Sequence, residues 1–184
     1  TDELYNDPGY PLRRPLSNGF WVVEQEGDTI WLRGQGESTE GTRPFLDKFN
    51  LKTLTAERLF RCDKNAYESV AGWTDRKKGQ FLVRHETPTD PPNYFVRTLG
   101  QRQAGAPEGE ARWPSASTRQ VTHLTDPTPQ LRAITKKLVT YKRADGVDLS
   151  FTLYLPPGYK EATRLPAVTN AYPLDCPDQK LAGQ

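Results

Sequence analysis

Short strand signatures recur along this chain at a fixed spacing, and that recurrence restricts the fold more than any other feature. FWVVEQ begins at residue 20, TIWLRGQG at 29 and PFLDKFNL at 44; YESVAGW, QFLVRHE and NYFVRTL begin at 67, 80 and 93, about 47 to 51 residues later. AERLFR at 56–61 closes the first set and RQVTHLT at 119–125 closes the second. The last run is displaced by QRQAGAPEGEARWPSAS at 101–117, a Gly/Ala/Pro-rich stretch expected to be a mobile loop. Turn residues separate the runs: Gly27-Asp28, NLKTLT at 50–55, DRKKG at 75–79 and TPTDPPN at 87–93. Four short strands per unit at a period of about 40–50 residues is the pattern of β-propeller blades. A sandwich also has short strands but not this internal period. Two blades cannot close a ring, so further blades are expected upstream or in partner chains.

The texture changes after TDPTPQL at 125–131, whose prolines disfavour helix and predict an extended linker. From Val147 the apolar residues take every second position: Val147, Leu149, Phe151, Leu153 and Leu155. That is a strand with one buried face. Val139 and Tyr141 begin a second alternating run, and Asp145-Gly146 between them suits a tight hairpin turn. Pro156-Pro157-Gly158 stops the second strand, since proline cannot donate to a ladder. LPAVTNAYP at 165–173 reads as a further, more buried strand. The expected organisation is therefore two four-stranded blades over 1–125, a linker over 126–133, and the start of a separate sheet over 134–184.

Composition limits the function classes. Hydrophobic residues are 35% of the 184 and mean hydropathy is −0.77, so the core is thin. A net charge of +2 argues against a dedicated nucleic-acid binder, and no apolar run approaches the roughly 18 residues of a membrane span. No signal-like segment is present, and a chain that starts at Thr1 is expected to be cut at both ends. Cys62 and Cys176 are far apart, with no disulfide framework, and are expected to be free thiols. With His85 and His123 as the only histidines and no CxxC, a structural metal site lacks ligands.

The order of blades, DPTPQL at 126–131, VTYKRADGVDLSFTLYLPPGY at 139–159 and RLPAVTNAYPLD at 164–175 resembles the prolyl oligopeptidase family of serine peptidases. Its glutamyl-endopeptidase-like bacterial and plastid members are the most similar, and GQGESTEGTRPFLDKFNLKT at 34–53 and ETPTDPPNYFVRTLG at 86–100 fit that group's last blades. The resemblance covers nearly all of the chain. It implies a mainly β fragment holding the last two propeller blades and the first strands of an α/β-hydrolase domain. It also implies a parent enzyme in which the propeller admits only peptides. A Ser-His-Asp triad, with its serine in a Gly-x-Ser-x-Gly-Gly elbow, cuts them there. The implied partners are a peptide substrate and the remainder of the parent chain; no cofactor is implied. The alternative function class is a non-catalytic propeller-type interaction module.

No such elbow occurs here. GESTEG at 36–41 contains Ser38 but lacks the glycine two positions on, and it lies in a blade loop. His85 and His123 fall on strand signatures and read as strand-face residues. The fragment alone is therefore expected to be inactive. One catalytic position follows from the resemblance: the strand entering the hydrolase sheet ends at Asn170-Ala171-Tyr172-Pro173, and related enzymes use a tyrosine there as an oxyanion-hole donor. Pro173-Leu174 stand where much of the wider family has glycine-rich residues. A glutamyl-specific enzyme also needs a cation, and Arg33, Arg84 and Arg97 on strands are the candidates. The run at 75–78 and the pair Arg13-Arg14 read as solvated turns. Trp21, Trp31, Trp73 and Trp113 read as blade packing.

Overall fold

The computed structural model describes residues 7–38, 41–107 and 110–170. The chain falls into two compact units, Thr1–Asp126 and Pro127–Gln184. Both are mainly β, with helix limited to single 3-10 turns.

In the first unit β1 (Tyr10–Pro11) and β2 (Arg13–Pro15) precede β3 (Trp21–Val23), β4 (Gln25–Glu26) and β5 (Thr29–Gly34). With β6 (Phe45–Asn50) and β7 (Thr55–Arg61), an antiparallel sheet runs β1-β5-β6-β7, β4 pairing the other half of β5. A second sheet has the order β11-β10-β9-β8, from β8 (Tyr67–Asp75), β9 (Gln80–Glu86), β10 (Asn93–Leu99) and β11 (Ser115–Gln120). Alternation along these strands sends Leu46, Phe60, Phe81 and Val83 inward, all buried. Phe60 meets Phe81 at 5.3 Å between ring centroids and Trp31 meets Trp73 edge-on at 6.0 Å, so the two sheets pack face to face.

Two expected strands differ. The run at 20–25 is divided: β3 pairs with β2 in a separate ribbon, and only Gln25 and Glu26 reach β5. Buried Leu12 is the cause, because its N–H donates to Trp31 and its carbonyl accepts from Glu24, which brings β1 in beside Leu32 and Arg33. Trp21 is left 63% exposed rather than packed. The last strand lies at 115–120, earlier than the expected 119–125, because the Asn93 side chain accepts from Thr122 and Leu124 and draws the chain off the ladder.

The charged turn is less solvated than its composition suggests. Asp75 caps a 3-10 turn at Arg76–Lys78, and Arg76 lies over the Trp31 ring at 4.4 Å while pairing with Glu26 at 3.2 Å. The long loop is likewise docked, not free. The Arg112 N–H donates to the Arg58 carbonyl at 3.0 Å, and Trp113 packs on the core. Arg43, itself buried, forks onto the Glu110 carboxylate at 2.7 and 3.2 Å.

That fork holds the Glu110 carboxyl below its ordinary value of 4.5, chiefly through the Arg43 hydrogen bonds. A depressed folded value means the contact contributes fully above the unfolded value and is lost as pH falls through the folded one. Amide-exchange protection at Arg112 and Gln103 is therefore expected to start falling as pH drops through the ordinary carboxylate range and to go on falling until pH passes below the depressed folded value. Unchanged protection at about pH 2 would show that backbone bonds alone hold the loop.

In the second unit β12 (Thr135–Lys142) and β13 (Asp148–Leu155) form the expected antiparallel hairpin, pairing Thr135 with Leu155 and Lys142 with Asp148. Gly146 closes it at φ +88°, where a side chain would be strained. The linker is not wholly extended: Pro129–Ala133 make a 3-10 turn, since a proline at the first turn has its φ preset and needs no N–H partner there. Residues 165–170 form no strand, and Val168 is 98% exposed. A strand needs a ladder partner, and none lies beside this segment among the described residues.

Candidate functional site

Strand register sorts the three arginines named above. On the second sheet Glu68 stands opposite His85 and His85 opposite Asn93; one step along, Ser69, Arg84 and Tyr94 are opposite one another and so occupy the other face. Phe81 pairs with Arg97, which puts Arg97 on the inward face with Glu68. Its guanidinium is consumed there: Nη2 and Nε donate to the two Glu68 oxygens at 2.6 and 2.8 Å. The Glu68 side chain is 3% exposed, and His85 Nδ1 also lies 2.6 Å from it. Arg97 is a structural cation, not an open one.

Arg33 and Arg84 remain, and the fold brings them together. Both line one open cleft of about 380 Å³ at the edge of β8, with Tyr10, Ser69 and Tyr94. Arg33 reaches across from β5 and Nη1 donates to the carbonyls of Val70 at 2.7 Å and Ala71 at 3.1 Å. Arg84 pairs with Glu86 at 2.8 Å, an ion pair more than a third exposed on the arginine side. No carboxylate lines the cleft among the described residues.

The histidines line a different cavity, also about 380 Å³, with Asp90, Asn93 and Phe95. No serine or cysteine borders it among the described residues, so neither imidazole has a nucleophile to activate there. Ser38 donates to the Gly41 carbonyl at 2.8 Å within its loop. No group of three or more His, Cys, Asp or Glu among the described residues is placed to hold a metal ion. Cys62 is a buried free thiol whose pKa burial raises to about 11, against any thiolate role at neutral pH. Tyr172 and Cys176 lie outside the described residues.

Sequence inspection missed Glu68 and the cleft's hydroxyls. The signal for Glu68 was its place two residues from Val70 on the apolar phase of β8, a charged residue where the pattern calls for burial. Nothing local marks Tyr10, Ser69 or Tyr94, which meet only through register and sheet packing.

No family model matches the chain. No solved structure matches it either. Over its whole length the chain is 32% identical, across 200 residues, to a protein named probable glutamyl endopeptidase, chloroplastic, from Oryza sativa subsp. japonica. It is 31% identical across 201 residues to a protein of the same name from Arabidopsis thaliana. It spans 20% of the length of each of these relatives. The chain is thus similar, along all of its residues, to proteins of a peptidase-related family.

Proposed function

We propose that this chain is part of a serine peptidase of the prolyl oligopeptidase type. On this proposal the first unit is two blades of a β-propeller and the second is the start of an α/β-hydrolase domain. The Ser-His-Asp triad belongs to parent-chain residues outside these 184, and the propeller restricts the active site to peptides that can pass it. The similarity to probable glutamyl endopeptidases across both units carries the proposal. Tyr172 would supply an oxyanion donor in that enzyme, stabilising charge that develops on the peptide carbonyl as the serine attacks.

The chain's own sequence makes the test simple, since it contains no Gly-x-Ser-x-Gly and only two histidines, of which His85 is already engaged by Glu68. The 184-residue chain is expected not to react with a fluorophosphonate serine probe and not to cleave peptides. The parent protein is expected to do both. A parent protein that is folded yet inert to the probe would leave an interaction module as its function. Labelling of the 184 residues alone would place the nucleophile within this chain.

A further inference from the structure

The turn between β2 and β3 carries a reactive pair of residues. Of the chain's six asparagines, only Asn18 is followed by glycine. The backbone nitrogen of the following residue can attack an asparagine's side-chain carbon and close a five-membered imide. A side chain on that following residue crowds the approach, and glycine has none. The space at Gly19 is also open, since a Cβ built there would meet no atom within 4 Å. Asn18, Gly19 and Phe20 are all exposed.

Hydrogen bonds within the turn act in both directions. The Phe20 N–H donates to Asn18 Oδ1 at 3.1 Å, which holds the carboxamide against the Gly19 peptide unit that the contact spans. It also puts a donor where negative charge develops as the nitrogen attacks. The Gly19 N–H, in contrast, donates to the Leu16 carbonyl at 3.0 Å and must let go before its nitrogen can react. The ribbon that keeps this bond is slight. Leu12 and Glu24 tie its base, but its three pairs, Arg13 with Val23, Arg14 with Val22 and Pro15 with Trp21, belong to neither of the unit's larger sheets. Of those six residues only Val22 is as much as half-buried. A two-stranded ribbon of this size has little stability of its own, and such segments open locally far more readily than the whole fold does.

We propose that Asn18-Gly19 is a self-modification site, where the Asn18 carboxamide closes on the Gly19 nitrogen and the ring then opens to aspartate or isoaspartate. In the first step a bond forms between Asn18 Cγ and the Gly19 nitrogen, whose proton passes to solvent base. The bond from Cγ to Nδ2 breaks, and Nδ2 takes a proton from solvent and leaves as ammonia. In the second step water opens one of the two carbonyl–nitrogen bonds of the imide. The sum is an amide plus water giving an acid plus ammonia, with nothing oxidised or reduced. Either product leaves a carboxylate on a ribbon whose charges are otherwise Arg13 and Arg14. Opening to isoaspartate also adds a carbon to the main chain inside the turn that the Leu16 N–H closes on the Phe20 carbonyl at 2.7 Å. The site does not depend on the peptidase function proposed above.

The test incubates the 184-residue chain in mildly alkaline buffer and follows each asparagine by peptide mass spectrometry, with a synthetic peptide of residues 14–22 as the unstructured reference. Chain that keeps its amide protection along β9 and β10 counts as folded. In that chain Asn18 is expected to convert before any other asparagine, at a rate within about tenfold of the peptide's, because three pairs of a lone ribbon protect little more than that. Fragmentation of the product peptide should show isoaspartate alongside aspartate. Asn18→Gln, whose longer side chain would have to close a six-membered ring, should abolish the conversion and leave the protection of β9 and β10 unchanged. A folded chain that converts more than about tenfold more slowly than the peptide would show that the Leu16 bond locks the turn, and the site would be refuted. Earlier conversion at another asparagine, or a product containing aspartate alone, which would mean direct hydrolysis without the ring, would refute it as well.

Discussion

Glu68→Ala is expected to destabilise the first unit by about 3–5 kcal/mol, the usual result of removing one partner of a buried ion pair. Two side chains lose their anchor together. Arg97 loses both hydrogen bonds to the carboxylate and keeps only its Nη1 contacts, to Ser115 and Thr118 at 3.1 and 3.0 Å. His85 loses its Nδ1 partner while its ring remains against Phe95, 5.2 Å between centroids. The guanidinium also lies over the Phe60 ring at 5.7 Å. Since β8, β9 and β10 each supply one member of this cluster, its loss should loosen all three strands. Denaturant unfolding of the 184-residue chain gives the size. Glu68→Leu with Arg97→Met, which removes both charges and keeps bulk, should lie closer to wild type than Glu68→Ala does. A Glu68→Ala chain within about 1 kcal/mol of wild type would place the cluster with exposed pairs of little consequence.

How much of this was legible beforehand follows from the distance over which each feature is decided. β9 and β10 lie where the apolar alternation of QFLVRHE and NYFVRTL puts them, and Gly146 closes the hairpin that Asp145-Gly146 announces. Those are local decisions, made by period and turn chemistry. The division of FWVVEQ was not legible, because it depends on Leu12 finding the Trp31 carbonyl, and nothing in residues 20–25 reports that. The loop at 101–117 has a flexible composition yet is docked, because Arg43 lies 67 residues from the Glu110 that it holds. The arginines show the same limit. Arg33, Arg84 and Arg97 look alike along the chain; register puts Arg97 beside Glu68 and Arg84 on the other face, and the packing of β5 against β8 brings Arg33 to the same open cleft as Arg84. Composition marks a charged residue on a strand; pairing decides whether that charge is spent.

In the proposed parent peptidase, Tyr172→Phe is expected to lower kcat by about 100- to 1,000-fold, the typical effect of deleting one oxyanion-hole donor. The substitution removes a single hydroxyl and keeps the ring. The hydroxyl matters where charge develops. As the serine attacks, the carbonyl oxygen becomes an oxyanion, and a preorganised O–H donor binds that oxygen more strongly than it binds the ground-state carbonyl. KM should therefore stay near its wild-type value while kcat and kcat/KM fall together. Labelling with the fluorophosphonate probe under saturating conditions should still reach one equivalent, which shows that the serine and its base are in place. A Tyr172→Phe enzyme that turns over at the wild-type rate would make Tyr172 a packing residue at the end of its segment and move the oxyanion donors elsewhere. A fall in kcat accompanied by an equal loss of probe labelling would instead mean that the substitution disrupts the site as a whole, and the donor role would be lost with it.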